Sequence, residues 1–111
     1  MFITIADQCI NRRQEKHFVL RTATIWQTAL IPCNFSTKVA VRWRYCHAES
    51  TEVVHLTSNL GLIANNLKDR FQLEPNGLLI TDVQPNDAGW YVCHQKHRRR
   101  EQIIRLSVPC K

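Results

Sequence analysis

The segment that most constrains the fold is residues 82–93, a turn followed by an alternating strand. Positions 86–89 read NDAG, which favours a tight turn because Asn and Asp side chains hydrogen-bond their own backbone and Gly permits a sharp corner. After the turn, Tyr91 and Cys93 lie two residues apart, so a strand directs both side chains to the same face. If that face is the core, Cys93 needs a core cysteine as its partner, and Cys33 closes an apolar run 60 residues earlier.

Trp43 follows Cys33 by ten residues. A cysteine, then a tryptophan, then a Tyr-x-Cys at this spacing resembles the pattern of immunoglobulin-superfamily domains. The resemblance implies an all-β fold, an immunoglobulin-like sandwich of two antiparallel sheets, in which a Cys33–Cys93 disulfide joins the sheets. It also implies that Trp43 packs against this disulfide and that the Tyr91 hydroxyl caps a backbone group upstream.

Two further stretches match this family. Residues 69–71, which read DRF, resemble the start of its strand D, whose arginine usually pairs with the aspartate of the tyrosine corner, here Arg70 with Asp87. Residues 78–83 resemble strand E and the turn after it. The resemblance covers roughly residues 15–108 and implies a variable-type (V-set) domain. An intermediate-set (I-set) domain is the alternative, because the interval from Arg70 to Asp87 is shorter than in most variable domains.

The chain of 111 residues has the length of one domain, and no apolar run approaches the ~20 residues that cross a bilayer. We expect residues 17–108 to form the domain, residues 1–16 to be a tail or a loosely attached first strand, and residues 109–111 to begin a stalk. Asp7 interrupts the apolar start too early for the core of a signal peptide. We expect Met1 to stand in place of a removed signal peptide, because a disulfide-bridged sandwich forms in an oxidising compartment. A complete intracellular chain is the alternative.

Apolar alternation and a high content of β-branched and aromatic residues predict the strands. Named by the letters of the family, they are a lead-in strand at 17–21, B at 24–33, C at 39–46, C′ at 52–56, C″ at 60–64, F at 90–95 and G at 102–108. In strand C the alternation predicts two faces. The inward face has Val39, Val41, Trp43 and Tyr45, and the outward face has Ala40, Arg42, Arg44 and Cys46.

Five cysteines are an odd number, so at least one of Cys9, Cys46 and Cys110 lacks a partner within the chain. Cys46 would point away from the core on the sheet formed by strands G, F and C, beside Arg44 and Val92. In paired variable domains of the family this position lies near the two-fold axis, so the resemblance implies a self-associating face made of Arg44, Cys46 and Val92. Three states of Cys46 are open: a thiol without a partner, an interchain disulfide, and a link to Cys9 or Cys110.

The residue pattern does not favour an enzyme or a metalloprotein. The chain contains neither a Gly-x-Ser-x-Gly motif nor a phosphate-binding glycine-rich loop, and the resemblance assigns Asp87 to an ion pair. The dipeptides Cys46-His47 and Cys93-His94 lack the spacings of structural zinc sites. We therefore expect no enzymatic activity, no metal and no cofactor.

The chain has a net charge of +6, and much of the positive charge lies in one basic cluster between strands F and G. We expect this cluster to bind a ligand, because loops of this fold serve recognition; its residues are Lys96, His97, Arg98, Arg99 and Arg100. An acidic protein surface or a sulfated glycan such as heparan sulfate would match its charge. No aromatic residues interleave with the basic ones to stack bases, which disfavours nucleic acid. A solvated hairpin tip is the alternative interpretation.

Together these observations predict an extracellular recognition module: the ectodomain of an immune-type or adhesion receptor, or a soluble decoy of one. It would lie on the outer side of the plasma membrane or be secreted, and it would bind a protein ligand or receptor chain through the G-F-C-C′ face and the F–G loop. The alternatives are a structural domain that forms a homodimer or a hetero-assembly, and a binder of polyanions such as heparan sulfate. Asn34 starts the chain's only Asn-x-Ser/Thr sequon and is a candidate glycosylation site.

Overall fold

The computed structural model describes residues 17–33, 41–47, 52–58, 61–95 and 100–109. In chain order, the strands of this part are β1 (Phe18–Thr22), β2 (Ala29–Pro32), β3 (Val41–His47), β4 (Val53–His55), β5 (Phe71–Glu74), β6 (Gly77–Ile80), β7 (Gly89–Gln95) and β8 (Glu101–Ser107). Short 3-10 turns at Asn65–Leu67 and Pro85–Asp87 precede β5 and β7.

The strands form two sheets. A five-stranded sheet has the order β1-β8-β7-β3-β4, and a three-stranded sheet has the order β2-β6-β5. All neighbours within the described strands are antiparallel except β1 and β8, which run parallel. A parallel pair requires a long connection, and here most of the chain lies between the two strands. The predicted antiparallel sandwich is therefore confirmed, with one parallel pairing at an edge.

The core lies between the sheets and is filled by alternate residues of the strands, because successive side chains of a strand point to opposite faces. In β7, Tyr91 and Cys93 are buried there, and Trp43 of β3 lies opposite Cys93 in the strand register. The Cys33–Cys93 disulfide joins the residue after β2 to β7, with 6.4 Å between the two Cα atoms. The predicted inter-sheet disulfide is thus present. The other buried members of this core are Ala23, Ile31, Leu56, Phe71, Leu78, Ile80, Val83, Ile104 and Leu106.

Asp87 organises the corner that precedes β7. Its Oδ2 and Oδ1 accept hydrogen bonds from Nη1 and Nη2 of Arg70, each at 2.8 Å, and Oδ2 also accepts one from the backbone N–H of Gln84 at 2.8 Å. The Tyr91 hydroxyl donates to the Asp87 carbonyl at 2.7 Å, which is the backbone cap that the resemblance implied. Gly89 closes the corner with a φ of +146°, a conformation that side chains disfavour.

The chain's two tyrosines pack against each other beside this corner, with ring centroids 4.8 Å apart. The Tyr45 hydroxyl donates to the Ala88 carbonyl at 2.6 Å, and the Asn86 carbonyl lies 2.9 Å from the same hydroxyl oxygen. Burial, with a further contribution from the negative charge of Asp87, raises the pKa of Tyr45 to about 12. The same two causes raise the pKa of Tyr91 well above its usual value.

We expect stability to fall when the pH rises above that at which free tyrosine ionises, about pH 10. Because folding raises the pKa values of Tyr45 and Tyr91, the fold favours the neutral phenols. The stabilising contribution of the two phenols is therefore fully present at pH values below their pKa in the unfolded chain. It is lost as the pH rises through their pKa in the folded chain, which for Tyr45 is about 12. Denaturant titrations across this alkaline range measure the loss, and tyrosinate absorbance measures ionisation directly. Absorbance that rises at the same pH in the folded and the unfolded chain would contradict the expectation.

Strand B begins later than the sequence predicts. We expected residues 24–33, but β2 comprises Ala29–Pro32. Trp26 has a φ of +71°, and its backbone N–H donates to the Val83 carbonyl at 2.8 Å, while the Gln27 N–H donates to the Thr24 carbonyl at 3.1 Å. Residues 24–27 therefore form a turn, held by backbone bonds to a distant segment that single-sequence alternation does not reveal.

The other predicted boundaries agree in part. The predicted C″ strand is wrong for its described residues, 61–64, which make only an isolated bridge between Ile63 and Thr57. Residues 1–16 and 110–111, which include the predicted tail and most of the predicted stalk, lie outside the described residues. The predicted boundaries at 17–108 and 109–111 stay predictions.

Candidate ligand-binding face

The outer face of the five-stranded sheet carries two kinds of surface. The register places Arg42 opposite His94, and Arg44 opposite both Val92 of β7 and His55 of β4. One step further along the strands, Cys46 lies opposite Trp90. We call the surface of Arg42, Arg44, His55 and His94 the polar half, and that of Cys46, Val53, Trp90, Val92 and Ile103 the apolar half.

The apolar half is closed. Cys46, Trp90, Val92 and Ile103 form a second buried cluster, and Val53 of β4 packs against it. The Phe18 and Trp90 rings are nearly perpendicular, at 83°, with centroids 5.1 Å apart, and the Arg105 guanidinium lies 4.8 Å from the Trp90 ring centroid. A cation over an aromatic face is attractive, so Arg105 helps to hold Trp90 over the sheet.

This burial corrects the predicted self-associating face. Arg44, Cys46 and Val92 do share the outer surface of the sheet, but Cys46 is 1% and Val92 0% exposed, so neither can contact a second copy as the chain stands. Cys46 is also disulfide-bonded. A thiol without a partner and an interchain disulfide are therefore wrong for Cys46. The third alternative, a link to Cys9 or Cys110, concerns cysteines outside the described residues.

The polar half forms an open groove. Its volume is about 570 Å³, and its lining consists of Arg42, Trp43, Arg44, His55, Thr57, Ser58 and His94. The buried Thr57 hydroxyl oxygen accepts a hydrogen bond from the Trp43 backbone N–H at 3.2 Å, which ties the segment after β4 to β3 at this point.

Glu101 supplies negative charge beside this groove. Its Oε2 accepts a hydrogen bond from Nη1 of Arg44 at 2.5 Å and lies 3.3 Å from Nδ1 of His94. The side chains of Arg44 and Glu101 are 21% and 18% exposed, so this ion pair is only partly hydrated. The pair holds Arg44 in the outer face, because a charge-assisted hydrogen bond is stronger than a neutral one.

Of the predicted ligand-binding cluster, the structure describes only Arg100. Lys96, His97, Arg98 and Arg99 lie outside the described residues, as does the candidate glycosylation site Asn34. Arg100 is exposed, and its carbonyl accepts a hydrogen bond from the backbone N–H of Gln95 at 3.0 Å. His94 and Glu101, which flank the connection between β7 and β8, are opposite each other in the register. The connection therefore starts and ends beside the groove.

Sequence reasoning did not identify the groove. Alternation in strand C directed Arg42 and Arg44 outward, but His55, Thr57 and Ser58 join them only through the pairing of β4 with β3. A histidine in each neighbouring strand was the one signal available, and the sequence does not show which residues those histidines face.

Within the residues that the structure describes, no group of three or more His, Cys, Asp or Glu side chains could hold a metal ion. No helix in that part of the chain has the length and apolarity needed to cross a bilayer.

Comparisons with known proteins agree with the architecture. No family model matches the chain, and no curated protein matches it. Among solved structures, it is similar to the second Ig domain of the mouse polymeric immunoglobulin receptor, with 17% identity, a TM-score of 0.64 and coverage of 85% of this chain and 98% of that one. It is also similar to the extracellular domain of the voltage-gated sodium channel beta4 subunit, with 26% identity, a TM-score of 0.61 and coverage of 84% and 86%. That structure is described as a parallel homodimer that explains a role in cell-cell adhesion.

Proposed function

We propose that this immunoglobulin-like domain is an extracellular recognition module that binds a protein ligand through the polar half of its five-stranded sheet. By position, β8, β7, β3 and β4 correspond to strands G, F, C and C′. The observation that carries the proposal is the groove on this face, which stays open while the apolar half beside it is closed. A concave site with a few polar groups on a rigid sheet suits specific binding.

The sheet order supports a variable-type domain. A constant-type sandwich has three strands, C, F and G, in one of its sheets, and the variable type extends this sheet with C′ and C″. Here β4 pairs with β3 at that place. The described residues of the predicted C″ segment, 61–64, form only an isolated bridge, so the predicted I-set domain stays the alternative. The C′ strand β4 gives the groove one of its walls through His55.

An extracellular location agrees with the chemistry of the chain. The Cys33–Cys93 disulfide requires an oxidising compartment. Of the two similar solved structures, one is a domain of the polymeric immunoglobulin receptor and the other is the extracellular domain of the sodium channel beta4 subunit. A cell-surface receptor and a secreted decoy both meet this condition.

Binding to a different protein is favoured over self-association. The groove is lined by two arginines and two histidines, and the chain has a net charge of +6. Two copies of a chain with this net positive charge repel each other, and juxtaposed like charges disfavour association. The homodimer of the sodium channel beta4 subunit therefore does not transfer to this groove, and the assembly role remains the second candidate.

We propose that the basic cluster at residues 96–100 extends the same binding surface. It follows Gln95, the last residue of β7, and precedes Glu101, the first residue of β8. Its positive charge would raise the association rate of an acidic ligand, and this contribution would weaken as salt increases. The triple variant Arg98→Ser, Arg99→Ser and Arg100→Ser should therefore show a smaller salt dependence of binding.

The function is tested by staining cells of the source organism with a fluorescent tetramer of the domain. We expect staining to be lost after trypsin treatment of the cells and kept after heparinase treatment, and the variant Arg42→Ser to stain about tenfold less. Arg21→Ser is the matched control, because Arg21 carries the same charge on β1 and is exposed away from the groove.

Two outcomes would contradict the proposal. Staining that heparinase abolishes and trypsin spares would assign the domain to sulfated glycans. Sedimentation that shows a tight homodimer, together with staining that Arg42→Ser leaves unchanged, would assign it to self-assembly.

A further inference from the structure

We propose that the apolar half of the outer face is the docking surface for the chain's own N-terminal segment, residues 1–16, which a disulfide between Cys9 and Cys46 fixes there. The proposal goes beyond the proposed function, because ligand binding is assigned to the polar half. It starts from the disulfide of Cys46, whose partner lies outside the described residues.

The cysteines of the chain leave two candidates for this partner. Cys33 and Cys93 are bonded to each other, and Cys46 is disulfide-bonded as well. The remaining cysteines are Cys9 and Cys110, so one of them is joined to Cys46. The register of the five-stranded sheet distinguishes them, because it gives the distance from Cys46 to each end of the described chain.

Cys110 lies too far from Cys46. Cys46 is opposite Trp90, and Trp90 is opposite Arg105 of β8. Neighbouring strands lie about 4.8 Å apart and a strand advances about 3.4 Å per residue, which puts Val108 roughly 14 Å from Cys46. The two further residues to Cys110 span at most about 7 Å, and the Cα atoms of a disulfide are at most about 6.8 Å apart. Val108 also packs against the core between the sheets, on the side away from Cys46.

Cys9 lies within reach of Cys46. The register places Leu20 of β1 in the same row of the sheet as Cys46, three strands away. Phe18 comes two residues earlier and is therefore roughly 16 Å from Cys46. The nine residues from Cys9 to Phe18 span up to about 30 Å. The Phe18 ring lies against Trp90 on the outer face, so the chain enters β1 at the edge of the apolar half.

The burial of the apolar half calls for a covering segment. An antiparallel sheet commonly packs one face on the core and leaves the other face solvated. On the outer face here, Cys46 and Ile103 are 1% and 2% exposed, and Trp90, which covers Cys46, is itself only 9% exposed. Phe18 and Val53 flank this cluster from β1 and β4, the two edges of the sheet. A segment that leads from β1 to Cys46 crosses the strands between them, β8 and β7.

The composition of the segment suits this position. Large apolar residues lie on both sides of Cys9 and include Phe2, Ile3, Ile5 and Ile10. Their burial against the outer face removes apolar surface of both partners from water. Residues 11–16 read NRRQEK, a polar stretch that joins the apolar part to the start of β1.

The disulfide forms in the oxidising compartment that the Cys33–Cys93 bond also requires. The thiols of Cys9 and Cys46 each lose one proton and one electron as the two sulfurs join. The two electrons reduce a disulfide of an exchange partner to two thiols. Cys110 is then the one cysteine without a partner within the chain.

Peptide mapping of the full chain without reductant tests the bond. Trypsin releases Cys9 in residues 1–12, Cys46 in residues 45–68 and Cys110 in residues 106–111. We expect residues 1–12 to be joined to residues 45–68, and iodoacetamide to label Cys110 alone. A bond between residues 45–68 and 106–111, or labelling of Cys9, would overturn the proposal.

Nuclear Overhauser effects test the contact between the segment and the sheet. We expect cross-peaks between the indole of Trp90 and the methyl groups of Ile3, Ile5 or Ile10. Cys9→Ser should abolish these cross-peaks and raise the fluorescence of a dye that binds apolar surface by about threefold or more, because the apolar half loses its cover. The matched control, Cys110→Ser, also removes one thiol and should leave both measurements unchanged.

The contact is rejected by a separate result. A Cys9–Cys46 bond without these cross-peaks, together with equal dye fluorescence in Cys9→Ser and the wild type, would mean that the segment is tethered but does not cover the sheet. If Cys9→Ser does not fold, the mapping and the cross-peaks of the wild-type chain decide the proposal by themselves.

Discussion

Replacing Cys33 and Cys93 together by alanine should lower the free energy of unfolding by about 2 to 5 kcal/mol. The disulfide joins residues 60 positions apart, so its removal frees a long segment of the unfolded chain and raises the entropy of that state. Both sulfurs also lie in the main core with Trp43, so the alanines leave unfilled volume beside the indole. Guanidinium denaturation, followed by tryptophan fluorescence, measures the change.

The control is a variant that loses core volume but keeps the disulfide. Ile31→Val removes one methylene from the same core and should cost about 0.5–1.5 kcal/mol, so a larger loss in the double cysteine variant reports the disulfide itself. A double variant that unfolds at the wild-type denaturant concentration would contradict the prediction. Peptide mapping without reductant that found Cys33 or Cys93 joined to a different cysteine would overturn the fold assignment.

Replacing Arg70 by methionine should cost about 3 to 5 kcal/mol, the range for breaking a buried ion pair at one partner. The Asp87 side chain is 6% exposed and the Arg70 side chain is 32% exposed. Loss of Arg70 therefore leaves a desolvated carboxylate. Of the hydrogen bonds to this carboxylate described above, only the one from the Gln84 N–H remains. The loss of stability caused by Arg70→Met should be smaller when Asp87 has already been replaced by a neutral residue.

The double variant Arg70→Met with Asp87→Asn tests this coupling. The asparagine oxygen can still accept the hydrogen bond from Gln84, so the variant removes the buried charge while the turn keeps its cap. We expect the double variant to be more stable than Arg70→Met alone by about 1–2 kcal/mol. The complete cycle requires Asp87→Asn alone, measured under the same conditions. Energies that add without a coupling term would show that the pair is no more than a surface contact.

The candidate site was predictable only in outline. Period-two alternation correctly directed Arg42 and Arg44 to the outer face of strand C, because side-chain direction in a strand follows from residue parity alone. The same rule put Cys46 and Val92 on that face, and it was right about direction and wrong about exposure. Trp90 and Val53 cover them, and which side chains cover a face depends on the neighbouring strands and on their register.

Some of the fold was determined by the sequence itself. The turn at residues 86–89 depends on local chemistry, and the disulfide is one covalent bond between Cys33 and Cys93. With Trp43 at its spacing, these features resemble the immunoglobulin pattern, which implied the sandwich, its disulfide and its tyrosine corner. The start of strand B was decided by tertiary structure, because Trp26 is held in a turn by the backbone of Val83. The groove was decided in the same way. Its histidines come from strands far apart in the chain, and only the pairing of β3 with β4 and β7 brings them to the arginines, since strand register depends on the packing of the whole sheet.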